Sequence, residues 1–321
     1  ATSTKIIRLT CVMSTNKLTA FFNPEQFQGW GKTKNYFEGW YLRITDESKK
    51  VNMAFIFALT KDIDDPHAFI QVYDGVALSN KYYKFDISDF KYQDETVFIK
   101  DNYLSIEKMH LNIETYEIDI SMEKSEEMTK KQLNKSAMSY MSNFPLECFQ
   151  EVNIIDGYFK GEIKDNNKTI KVSGKTYMEK TYGNKFPQNW IWLQSNHFDQ
   201  KAALTFAYGK IPLLKWKVKG FFSILNFNGL EYRFASYNLA RLKINKISPT
   251  KAEITLKRGF HKLILVAEMI DPVKLVGPLE NGKMNLDVFE SINSVVTMTL
   301  YKRNKIIFES RGRNVGFELV I

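Results

Sequence analysis

Cysteine is scarce in this chain: Cys11 and Cys148 stand far apart in unrelated contexts. Two such residues exclude a disulfide framework and make a reducing, cytoplasmic compartment the expected one. The histidines, His67, His110, His197 and His261, are equally dispersed. No ligand-type spacing for zinc or iron results, and no metal site is expected. No apolar run approaches the roughly 20 residues of a spanning helix. The opening stretch ATSTKIIRLTCVMSTNKLTA also has no apolar segment of signal-peptide length. A soluble or membrane-peripheral protein is expected. Its net charge of +9 is spread along the chain without a run of basic residues or an arginine-rich arm. Nucleic acid is therefore not an expected partner, whereas weak attraction to an anionic membrane surface is.

What the chain has in quantity is rings. Aromatic residues make up 14%, with 24 Phe and 16 Tyr, which favours pleated, half-buried strands. Alternation then dominates the pattern, as in FEGWYLRI (37–44), VNMAFIFAL (51–59), HAFIQVYDGVAL (67–78) and HKLILVAEMI (261–270). Polar turns such as TDESKK, KDNNK and KRNK separate the strands. Between them, 123–141 lacks alternation and reads as a short charged helix or excursion. The sum is an all-β chain of sixteen to twenty strands, enough for two closed antiparallel barrels. The expected units are an N-terminal extension (1–30), a first barrel (31–145) and a second (146–321), with strand exchange between the barrels allowed.

One stretch concentrates the polar-aromatic signal: YMEKTYGNKFPQNWIWLQSNHF (177–198). Alternate strand residues share a face. Trp190, Trp192, Gln194 and Asn196 therefore look one way; either they line a barrel lumen as an apolar pocket with a few orienting amides, or the rings plug a barrel end and the amides bond backbone. The same parity groups Glu38, Trp40 and Leu42. A carboxyl beside an inward indole is either an acid with a raised pKa or the partner of a cation such as Lys180 or Arg43. Glu179 poses the same question. His197 has the wrong parity for a base, Glu309 sits in the terminal hairpin as a structural residue, and Lys215, Lys217 and Lys219 form a cationic stripe that is either solvated or docks on anionic lipid.

FEGWYLRI and the 177–198 stretch resemble the two signature segments of the tocopherol cyclase family, and GPLENGKMNLDVFESINSVVTMTLYKRNKIIFESRGRNVGFEL (277–319) is similar to its closing segment. The resemblance runs from about residue 36 to the end. Thr181-Tyr182 stands where the family usually has Asn-Trp, and Ser195 where it often has Cys. The resemblance implies two lipocalin-like β-barrels in tandem and cofactor-independent closure of a prenylated hydroquinone to a chromanol. Glu38 or Glu179 would be the proton donor, and Trp40, Trp190 and Trp192 the wall that shelters a tertiary cation. Gln194, Asn196 and Tyr182 would hold the quinol oxygens, and Glu290 is a further acidic position in a family-like segment. The expected ligand is a prenyl lipid or other isoprenoid. Two alternatives are a carrier that binds it without chemistry and a related hydratase or pericyclase. A carboxylic acid aimed into the largest pocket favours the enzyme, and both acids locked in ion pairs favours the carrier.

Overall fold

Alternating segments become strands almost throughout the computed structural model, which describes residues 20, 22–114, 116–125, 136–165, 168–213 and 216–320. Twenty-two strands lie among them, with only short 3-10 turns between. The excursion expected at 123–141 contributes one such turn, Ser139–Asn143, and residues 126–135 lie outside the described residues. No helix among the described residues is long and apolar enough to cross a membrane.

The first sheet has eleven strands. A meander of β1 (Phe37–Asp46), β2 (Val51–Thr60), β3 (His67–Asp74) and β4 (Ser79–Asp86) forms one flank. A second meander runs from β5 (Phe90–Gln93) to β9 (Tyr116–Lys124). The long hairpin of β10 (Cys148–Asp165) and β11 (Lys168–Gly183) joins the two, because β11 pairs with β1 and β10 with β9. Residues 148–183 therefore hydrogen-bond into the first sheet, and the chain crosses to the second between Gly183 and Trp190. Register fixes this: Phe37 lies opposite Gly183 and Thr45 opposite Lys175.

The second sheet centres on β12 (Trp190–Ser195), flanked by β14 (Ala202–Leu213) and β22 (Lys305–Val320). Beyond β14 come β15 (Trp216–Phe227) and β16 (Leu230–Ala235). Beyond β22 come β21 (Met284–Lys302), β19 (His261–Glu268), β18 (Lys251–Arg258) and β17 (Arg241–Ser248). The tail expected as a hairpin plus a last strand is instead one long hairpin. It turns through Arg303 (φ 49°) and Asn304 (φ 65°), the left-handed pair that a two-residue turn needs.

The first sheet curls into a barrel and the second into a half-barrel. Each inner face carries its own core: Leu42, Ile44, Phe55 and Phe57 in the first, Ile191, Leu193, Phe206 and Phe317 in the second. Each such side chain contributes about 1.5–3 kcal/mol by leaving water. The barrels then pack outer face to outer face, through Tyr41, Ala54 and Tyr73 on one side and Trp190, Trp192 and Ile292 on the other. β2 is buried on both faces for this reason, which explains its nearly continuous apolar sequence.

Candidate active site in the seam between the sheets

Two adjacent residues of β11 serve different surfaces. Lys180 points into the first barrel, where its Nζ lies 2.8 Å from Glu38 Oε1, and both side chains are completely buried. Glu38 also accepts from the Gln28 and Gly29 backbone amides at 3.0 Å and from the Tyr36 hydroxyl at 2.6 Å. Lys180 further donates to the Gln26 carbonyl and lies over the Trp40 and Tyr182 rings. Together these contacts hold residues 26–29 across the barrel end, with Phe27 against Trp30, Phe90 and Tyr92. Trp40 stacks on Tyr92 and Tyr182 on Phe149. Glu38, Trp40 and Tyr182 thus belong to the interior of the first barrel, and the structure separates them from the other expected site residues.

Glu179 points the opposite way, into the seam, with Tyr41 opposite it in register. Its Oε2 accepts from Tyr177 Oη (2.5 Å), Gln150 Nε2 (2.9 Å) and Trp192 Nε1 (3.0 Å). Among the described residues no cation pairs with it and Oε1 has no hydrogen-bond partner. Burial raises its pKa to about 7 against the pull of those three donors. With Oε2 occupied as an acceptor, the proton of the acid form sits on Oε1.

Two further carboxyls face the same seam. Glu290 on β21 and Glu318 on β22 are directly opposite in register, and Trp192 is the next partner of Glu318. Tyr41 Oη donates to Glu290 Oε1 at 2.7 Å and Trp190 Nε1 to Glu318 Oε2 at 2.6 Å. Burial raises both pKa values, and for Glu290 the charge of Glu318 adds to it. Two close carboxyls cannot both ionise cheaply, so the pair retains a proton. Glu318 carries no role in the sequence reading. The available signal was a lone acid in the otherwise apolar VGFELV, and its importance comes from strands brought together across the sheet.

Two cavities open on these acids. The larger, about 150 Å³, is walled by Phe149, Phe186, Trp190, Trp192 and Phe222, with Met138 among its lining. The smaller, about 90 Å³, is bounded by Phe37, Tyr41, Ile56 and Val288 and includes Glu290. Glu179, Thr181, Phe186 and Glu318 line both. Burial pushes the thiol of Cys148, on the larger wall, up to about 12. Trp192 lies so close over Gly316 that a β-carbon there would meet its ring at 2.6 Å, so glycine admits the indole.

The expected parity of Trp190, Trp192 and Gln194 on one face is observed, but that face is the seam. The lumen of their own half-barrel receives Ile191 and Leu193 instead. The two amides line neither cavity. Gln194 Oε1 accepts from Arg43 Nη1 at 3.0 Å, and Asn196 Nδ2 donates to the Thr176 carbonyl at 2.9 Å, so both tie sheet to sheet. His197 is mostly desolvated and lies near Arg43, Lys175 and Arg313, which lowers its pKa to about 3 and keeps it neutral. Lys215 lies outside the described residues, as do the side chains of 216–218. Among the described residues, no group of three or more His, Cys, Asp and Glu is placed to hold a metal ion.

Two curled antiparallel sheets, with protonatable carboxyls in the aromatic seam between them, define an all-β fold of the lipocalin-like kind. A family model described as tocopherol cyclase-like matches residues 105–319, and the chain belongs to that family. The FEGWYLRI segment lies upstream of the matched region. No curated protein sequence matches the chain. Among solved structures, an AttH protein from Nitrosomonas europaea is similar at 13% identity and a TM-score of 0.53, over 89% of this chain and 93% of that one. CghA, solved with Sch210972, is similar at 7% identity and 0.56, over 89% and 88%. Kievitone hydratase from Nectria haematococca is similar at 11% identity and 0.50, over 88% of each. At these identities the likeness concerns the fold.

Proposed function

We propose that the chain is a cofactor-independent acid catalyst that closes a prenylated hydroquinone to a chromanol. The observation that carries this reading is Glu179: a buried, unpaired carboxyl with a pKa of about 7, lining both cavities and free at Oε1. Glu179 gives its proton to the less substituted carbon of a trisubstituted alkene. The tertiary cation that forms faces Trp190, Trp192 and Phe186, whose ring faces stabilise positive charge. The phenol oxygen bonds to that carbon and releases its proton. Glu179, or the Glu290–Glu318 pair beside it, takes that proton, so the reaction is a net isomerisation. A cavity on each side of the acid suits a substrate with a ring at one end and an isoprenoid tail at the other, because the alkene between them then meets the carboxyl.

Membership of the tocopherol cyclase-like family supports a reaction of this kind, and the hydratase among the similar structures supports alkene protonation followed by oxygen addition more broadly. Lys180 neutralises Glu38, whereas Glu179 has no such partner, which favours a catalyst over a carrier.

The test is incubation with a prenylated hydroquinone in deuterium oxide, followed by mass spectrometry. Chromanol carrying one carbon-bound deuterium is expected, with turnover falling at least a hundredfold in Glu179→Gln. Tight substrate binding without chromanol would leave the carrier reading. An added water in the product would leave the hydratase.

A further inference from the structure

One end of the second sheet is basic, and Glu231 on β16, which packs beside it, is paired with Arg233. Register aligns Arg241 with Lys257, Arg258 with His261, His261 with Lys302, and Lys302 with Lys305, strand by strand from β17 to β22. Lys262 and Arg303 complete the row. Residues 239–242, 256–263 and 300–307, which make up this end, contain no Asp or Glu. Among the described residues none of these basic groups forms an ion pair. Burial, with Lys302 and Arg258 nearby, lowers the pKa of His261.

Apolar side chains stand among these cations. Phe260 at one hairpin tip is 66% exposed, with the Arg303 guanidinium 4.8 Å from its ring centre. Ile306, beside the next tip, is 55% exposed, and Leu239, just ahead of β17, is 89% exposed. The row also leads to the larger cavity. Leu239 follows Tyr237, a lining residue, and exposed Tyr140 donates to the Tyr237 carbonyl at 3.0 Å. Arg258 Nη1 donates to the carbonyl of Arg233, and Arg233 Nη1 donates to Tyr237 Oη at 3.2 Å.

We propose that this end of the second sheet docks on an anionic lipid bilayer, with Leu239, Phe260 and Ile306 entering the interface and the surrounding lysines and arginines on the headgroups. Nucleic acid offers the same negative charge but no apolar layer to receive these side chains at the tips. Docking here presents the cavity rim to the lipid that would hold a hydrophobic substrate. The surface stands independently of the chemistry in the seam.

The experiment is co-sedimentation with vesicles of phosphatidylglycerol and phosphatidylcholine in equal amounts, and with phosphatidylcholine alone. Binding to the anionic vesicles, weakened by salt, is expected. The triple variant Lys302→Glu, Arg303→Glu, Lys305→Glu should lose on the order of a hundredfold in partitioning or more. The pair Phe260→Ser, Ile306→Ser should weaken it further at high salt. A control with the same charge change on the first sheet, Lys91→Glu, Lys100→Glu, Lys160→Glu, should still bind. All these side chains are exposed, and thermal melting checks that the fold is intact. Equal partitioning of the two triple variants would overturn the proposal, as would sedimentation of the wild type with neither vesicle. Retention on duplex DNA without vesicle binding would also overturn it.

Discussion

Glu179 and Lys180 are chain neighbours on opposite faces of β11, and that parity sets the chemistry of each. Lys180 neutralises Glu38 inside a barrel, while Glu179 faces an apolar seam with neutral donors only. Substituting Glu38→Gln leaves a buried ammonium uncompensated and is expected to cost about 3–5 kcal/mol. Chemical denaturation would report the loss, with turnover per folded molecule retained. For Glu179 the acid form is the active one, so turnover should fall as pH rises through about 7. The stability effect has the same sign. A folded pKa above the ordinary carboxylate value contributes stability that is fully present below pH 4.5 and lost as pH rises through about 7. Melting of the wild type relative to Glu179→Gln should decline across that window, and parallel melting curves would contradict the assignment.

At the scale of elements, Arg233 and Tyr237 donate to the Ser136 and Ala137 carbonyls of the wall segment 136–143, and one carboxylate gathers its donors. Glu151 on β10 accepts from Ser136 Oγ (2.7 Å), Ser142 Oγ (2.9 Å) and the Ala137 amide (2.9 Å), and burial raises its pKa against these bonds. Met138 and Met141 of that segment line the larger cavity. Glu151→Ala should free the segment, with faster amide exchange at Ala137 and a higher KM at little change in kcat. Unchanged exchange would show that other contacts suffice. Most elements were readable in advance, β12 and the KRNK turn among them. β17 was not, because RLKINKIS carries cations at alternate positions and few apolar residues facing inward. β20 (Val273–Pro278) and the first half of β21 were missed for a related reason: their polar and apolar positions are set by the seam, not by one core.

For the whole molecule, the seam joins two units that each have a core. Arg43 is the central tie, donating to Gln194 Oε1, Asn52 Oδ1 and the Ile292 carbonyl. Gln71 exchanges hydrogen bonds with the backbone of Val276, and Asn293 donates to the Gly75 carbonyl. Arg43→Met leaves the buried Gln194 Oε1 without its donor and removes the guanidinium bridge from Asn52 on the first sheet to Ile292 on the second. Calorimetry should then resolve two transitions where the wild type shows one. A single transition at lower temperature would place the coupling elsewhere.

The sequence alone determined that this chain is all-β, that its rings and amides alternate in register along 190–196, and that its acids warranted attention, because side-chain period is a local property of the strand. Which face became lumen and which became seam was decided only by the tertiary structure. So too was the meeting of Glu179 with Glu290 and Glu318, more than a hundred residues away. Burial and charge depend on what packs opposite, and a strand's own sequence does not specify its opposing surface.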